Sequence, residues 1–176
     1  MPDAVETVAP HRAARNDDPP PKPSPMSTTS APTDTPSSEH AKHPARGKVV
    51  GRRDGLLLFK PRGTAYELHL ACDDFTGTLD KPVEGQIVIQ ARKAYTVSSG
   101  GNFVAPITGT PRIVQGRVIE VLPDTGGRRR IILSAGPVVV VDLPEDSHAI
   151  DLGNGVIEEG ALVNVVVLPG ATFEPI

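Results

Sequence analysis

The chain has 176 residues, which suits one domain or two very small ones. A net charge of −3 leaves no electrostatic footprint for nucleic acid or an anionic membrane. No apolar run approaches the roughly 20 residues of a membrane-spanning helix, and the single cysteine, Cys72, excludes an intramolecular disulfide and the usual cysteine-based zinc sites.

At the N-terminus, MPDAVETVAPHRAARNDD offers no apolar core for a signal peptide, so a cytoplasmic protein is expected. Residues 1–45 hold ten of the 19 prolines, none of the 17 glycines, and no Leu, Ile, Phe or Tyr. Such a stretch buries too little apolar surface to offset a backbone ordering cost of roughly 1–2 kcal/mol per residue, and a disordered tail is expected. Within it, residues 19–25 (PPPKPSP) favour polyproline II and carry a P-x-x-P spacing at Pro20 and Pro23. A solvated spacer is the favoured reading of that spacing, over an SH3-like docking motif. Met26 is an alternative translation start, with 1–25 then an over-extended frame.

From Arg46 onward, short Val/Ile/Leu-rich runs alternate with Gly, Asp and Pro signals, the pattern of an all-β sandwich or barrel. Strands are predicted near 47–52, 56–60, 64–71, 86–96, 113–122, 129–134, 138–143 and 161–168. In Thr64–Leu70, Tyr66, Leu68 and Leu70 share one face and Glu67 and His69 the other. In Gln86–Arg92, Ile87, Ile89 and Ala91 oppose Val88, Gln90 and Arg92. The last predicted strand is apolar on both faces apart from Asn164. Asp54-Gly55 and Gly126-Gly127 mark hairpins because these residues tolerate positive φ, and Ser99–Asn102 marks a third turn. The stretch 149–159 has room for one short turn.

The two halves, 46–111 and 112–176, look alike and are expected to share a core. Gly47-Lys48-Val49-Val50 parallels Gly116-Arg117-Val118-Ile119, and Leu56–Leu58 parallels Ile131–Leu133. Gly63 with its strand and Asp73-Asp74 parallels Gly136 with its strand and Glu145-Asp146. Glu84-Gly85 parallels Glu159-Gly160. Each unit is thus four to five strands. The opening G-[KR]-V-[VI], the hairpin and the late E-G-x-x-V strand resemble small OB-fold modules. Glu159-Gly160 with Leu162–Val167 and Ala171-Thr172-Phe173 is similar to the closing segment of TOBE and molybdate-binding Mop modules. That resemblance implies tandem barrels and binding of small oxyanions at module interfaces, without assigning contact residues here.

An OB-like barrel also suggests nucleic-acid binding, which needs a basic groove and aromatic platforms. The candidate residues are Arg52, Arg53, Lys60, Arg62, Arg92, Lys93, Arg128, Arg129 and Arg130. Against them, residues 46–176 carry 14 Lys+Arg and 15 Asp+Glu, with no Trp. The acidic loops at Asp73, Asp74 and Asp80 and at Glu145, Asp146 and Asp151 match no calcium-loop pattern, and His69 and His148 lack a second His at ligand spacing. No nucleophile elbow, P-loop, zinc-protease or Rossmann motif occurs. Cys72, followed by Asp73-Asp74, is a dulled nucleophile that reads as a small core residue. The expectation is a non-enzymatic binding or assembly module without a metal or cofactor. A protein partner is favoured, met by strand addition at an exposed sheet edge, with nucleic acid and then a small oxyanion as alternatives.

Overall fold

A computed structural model describes residues 42–176 of the chain. The expectations on the tail before Lys42, including Pro20–Pro23 and Met26, lie outside the described residues. Among the described residues there is no α-helix, and none is long and apolar enough to cross a membrane. The protein is all-β. Its strands are β1 (Ala45–Arg53), β2 (Leu56–Pro61), β3 (Glu67–Ala71), β4 (Pro82–Thr96), β5 (Phe103–Ala105), β6 (Thr108–Gly109), β7 (Ile113–Thr125), β8 (Arg128–Ser134), β9 (Val138–Asp142), β10 (Ile150–Asp151), β11 (Leu162–Val167) and β12 (Thr172–Pro175). A 3-10 turn spans Ser147–Ala149.

The hairpin signals act where expected. Asp54 and Gly55 take φ of 51° and 79°, and Gly126 and Gly127 take 65° and 81°, so β1–β2 and β7–β8 turn tightly. Two elements begin three or more residues from where the alternation predicts. β3 starts at Glu67 because the Thr64 hydroxyl donates to the Pro61 carbonyl at 3.0 Å and accepts from the Tyr66 N–H at 3.4 Å, a local turn that delays the strand. β4 starts four residues early, at Pro82, because a proline is tolerated as the first residue of a strand.

The ladder closes on itself twice. β1–β2–β3 form an antiparallel meander, β12 runs parallel to β3 and antiparallel to β4, and β4 returns to β1. β7–β8–β9 form a second meander, β4 runs parallel to β9 and antiparallel to β11, and β11 returns to β7. Each closed path has five strands, and β4 belongs to both. Its 15 residues, on the order of 45 Å at ~3.3 Å each, hand over at Val88, which pairs with Thr172 in the first ring and with Val140 in the second. The closing strand of each ring therefore comes from the other half of the chain: β12 closes the first ring and the second part of β4 closes the second. One buried cluster runs through both, from Val49, Phe59, Leu70 and Phe173 to Val114, Ile131, Val141 and Val165. Each fully buried Val, Leu, Ile or Phe stabilises by about 1.5–3 kcal/mol.

Parts of the two rings pair in corresponding register. Gly47 pairs with Val83, and Gly116 with Val163. A β-bulge follows at Val49/Gly51 in the first ring and at Val118/Glu120 in the second. A side chain on Gly47 would collide with the Lys60 carbonyl oxygen, and one on Gly116 with the Ser134 carbonyl oxygen. The same registers correct two of the sequence parallels. Val49↔Phe59 and Val118↔Leu133 align Phe59 with Leu133, one residue off the predicted match. Glu84 aligns with Asn164, not Glu159, since Asp80 N–H donates to Val49 O and Gly160 N–H to Val118 O, each at 2.8 Å.

Candidate functional site

The predicted basic residues do not gather into one groove. Arg52 and Arg53 end β1 and Arg128–Arg130 open β8, whereas Lys60 and Arg62 lie at the far end of β2 and Arg92-Lys93 in the second part of β4. Arg92 is the extra residue of the bulge between Lys93↔Val166 and Ala91↔Val167. Three of the nine have other work. The Arg52 guanidinium donates to the Phe75 carbonyl at 3.2 Å, Lys60 pairs with Glu67 at 3.3 Å, and Arg130 pairs with Asp142 at 2.7 Å. Arg53, Arg62, Arg92, Lys93, Arg128 and Arg129 are exposed. The aromatic residues are committed to packing. Phe59 and Phe173 are buried against each other with ring centroids 4.7 Å apart, Phe75 and Tyr66 pack on the core, and the Tyr66 hydroxyl accepts from the Val104 N–H. Tyr95 and Phe103 remain half-buried.

In the second acidic loop two carboxylates bond their own backbone. Asp146 Oδ1 accepts from the His148 N–H and Asp151 Oδ1 from the Gly153 N–H. Among the described residues no three His, Cys, Asp or Glu side chains gather as metal ligands. His69 sits 3.6 Å from Glu67, whose carboxyl is held below its ordinary pKa chiefly by the hydrogen bond from Lys60. Cys72 is buried. Asn164, predicted as the one break in a doubly buried strand, is itself buried, and donates to the Gln115 side-chain oxygen at 2.9 Å. Every ring strand has a hydrogen-bonded neighbour along part of each side, while the short strands β5, β6 and β10 each pair on one side only.

What the structure does present is a groove of about 430 Å³ on the second ring, between the β7–β8 hairpin and the segment that follows β9. The hairpin contributes Val121, Leu122 and Ile131, the segment Ile150, Leu152 and Val156, and the charged residues are Asp124 and Arg129. Val121, Leu152 and Val156 are 45%, 47% and 58% exposed, so apolar surface is left open to water on both walls. The segment is pinned. Thr96, buried at the end of β4, donates its hydroxyl to the Gly155 carbonyl at 3.0 Å and accepts from the Asn154 N–H at 3.2 Å. Asn154 Nδ2 returns a bond to the Thr96 carbonyl at 2.9 Å, and β10 pairs with β4 alongside. Leu143 N–H donates to Arg129 O at 2.9 Å, tying segment to hairpin. The groove wall is therefore held by hydrogen bonds between side chain and backbone at Thr96 and Asn154 and by the backbone pairing of β10 with β4.

Periodicity missed this site because Ile150, Leu152, Val156 and Ile157 follow neither a two-residue nor a 3.6-residue repeat. The available signal was composition: four aliphatic side chains in a Gly/Asn/Glu-rich connection, where exposed apolar groups are unusual. Compared with known proteins, the sequence matches no family model and no curated protein.

Proposed function

We propose that the chain is a non-enzymatic binding module of two OB-like five-stranded barrels, and that it grips a protein partner through the groove of the second. Three consecutive antiparallel strands, closed by two further strands with one parallel contact, fit the Greek-key barrel of that class. The observation that carries the function is the open aliphatic groove built on a segment anchored through Thr96 and Asn154. Preformed apolar grooves bind because little ordering cost remains to be met. Nucleic acid and small oxyanions are less well supported: the exposed cations are dispersed, and four of the six aromatic residues pack in or against the core.

The test is selection of extended peptides from a display library on the full chain. Peptides bearing spaced aliphatic residues are expected to enrich, and Leu152→Asp with Val156→Asp is expected to abolish their binding, with an unchanged circular-dichroism spectrum. Enrichment indifferent to both substitutions would overturn the reading. So would tight binding of single-stranded DNA or RNA that weakens steeply with salt and fails on removal of Arg128 and Arg129.

A further inference from the structure

We infer that Asn154 is a deamidation site guarded by Thr96, and that its conversion to an acid releases the wall of the groove for good. The modification stands apart from the groove's being a binding site; its effect on a partner rests on that. Of Asn16, Asn102, Asn154 and Asn164, only Asn154 precedes a glycine. A following residue without a Cβ leaves the asparagine side-chain carbonyl open to attack by the next backbone nitrogen. Gly155 has φ of 108°, and a Cβ there would meet nothing within 4 Å. Both residues are exposed, so water reaches the bond. With solvent base taking the Gly155 amide proton, that nitrogen bonds to Asn154 Cγ, the Cγ–Nδ2 bond breaks and ammonia leaves. Water then opens the resulting cyclic imide at either carbonyl, which leaves an aspartyl or isoaspartyl residue.

The folded chain holds both reacting groups. Gly155 N–H donates to the Leu152 carbonyl at 2.9 Å, and Asn154 Nδ2 donates to the Thr96 carbonyl at 2.9 Å. The Thr96 hydroxyl accepts from the Asn154 N–H and donates to the Gly155 carbonyl, so one buried side chain fixes the backbone on both sides of the Asn154–Gly155 bond. Attack on Cγ therefore needs the segment to lift from Thr96, and its rate follows that opening equilibrium. The product does not settle back. A carboxylate only accepts, and it would face the Thr96 carbonyl, another acceptor. Leu152 and Val156, the exposed aliphatic residues of this wall, lie two positions before and after Asn154. The loss is thus felt where a partner would bind, and a preformed groove acquires an ordering cost.

The experiment incubates the full chain at mildly alkaline pH and follows conversion at Asn154 by peptide mass mapping. Thr96→Val, close in shape but without the hydroxyl, is expected to react about tenfold faster than the native chain, and Thr96→Ser at the native rate. Circular dichroism checks that each variant folds, and Asn154→Asp tests the release without altering Thr96. In Asn154→Asp the methyl resonances of Leu152 and Val156 are expected to shift while those of Val114 and Val163 stay in place. This variant should also bind library-selected peptides about tenfold more weakly. Equal rates in the native chain and Thr96→Val, or unmoved Leu152 and Val156 methyls in Asn154→Asp, would overturn the inference. If the rates are equal and Leu152→Asp still abolishes peptide binding, the guarded site fails and the groove survives. If the rates differ as expected and Leu152→Asp has no effect on binding, the groove fails and the modification stands.

Discussion

Where β1 meets β4, the first ring carries Arg46 against Glu84. At the matching place in the second ring, where β7 meets β11, Gln115 stands against Asn164. The ionic pair is 2.9 Å apart with side chains 62% and 52% exposed, while the amide pair is only 6% and 8% exposed. The difference follows from what lies over them. The connection after β4 folds across the second ring, where the Gly101 carbonyl accepts from Gln115 Nε2 at 2.9 Å and Gly100 passes so close that a Cβ would strike that nitrogen. Removing an ion pair from water costs more than its Coulomb attraction commonly returns, whereas neutral amides can be covered if they bond each other. The reverse contrast appears at the hairpins. In the first ring Arg52 reaches the Phe75 carbonyl and Phe75 packs on the core. In the second, the register puts Val121 at the Arg52 position, and the longer segment leaves a groove. Each ring is thus sealed at one place and open at another, and the two places are exchanged between them.

The largest effects should come from breaking the closures. Phe173→Ala removes the ring stacked on Phe59 and should cost about 3–5 kcal/mol in urea denaturation. Hydrogen exchange should then show Leu57 and Leu70 losing protection before Ile131 and Val141, because β12 closes only the first ring. Loss in the opposite order would break the reciprocal arrangement. Next come Gly47→Ala and Gly116→Ala. Each forces a methyl into a neighbouring strand's carbonyl oxygen, and each should cost about 1–3 kcal/mol. A neutral result at one glycine and not the other would show that the rings do not match at their tightest point.

These closures mark the boundary of what the sequence makes legible. The β1–β2 and β7–β8 hairpins are local: an Asp-Gly or Gly-Gly turn between valine-rich runs defines them without reference to the rest of the chain. The alternation of Leu68 and Leu70 against Glu67 and His69 likewise specifies one inward face. β12 is four residues ending in proline, and its partners β3 and β4 lie some 80 to 100 residues earlier, so no local pattern could identify it. The division of β4 at Val88 was hidden for the same reason, since a fifteen-residue strand carries no mark where its neighbours change. Asn164 misled because a lone polar residue among valines reads as a break in burial. Its bond to Gln115, 49 positions away, is what permits it to be covered.

A smaller effect separates the two matched pairs. Asn164→Ala leaves the Gln115 oxygen buried without its donor and should cost about 1–3 kcal/mol, whereas Glu84→Ala at the matching exposed site should cost about 0–1 kcal/mol. Equal costs in thermal or urea melts would remove the physical distinction between sealed and open surfaces.

The smallest effect is in pH. The first ring carries Lys60, Glu67 and His69 on one outer face, and the registers put Ser134, Val138 and Val140 at the corresponding places of the second. Only the first ring therefore has a cluster of ionisable side chains there. Hydrogen bonding from Lys60 holds the Glu67 pKa below its ordinary value. A carboxyl depressed in the folded state binds its proton more readily when unfolded. Its stabilising contribution is complete above the ordinary carboxylate range, shrinks as pH falls toward the lowered value, and is gone below it. Glu67→Gln should flatten that part of the acid limb, with the change confined to exchange protection in β2 and β3. An acid limb unchanged by the substitution, or changed equally in β8 and β9, would place the titration elsewhere.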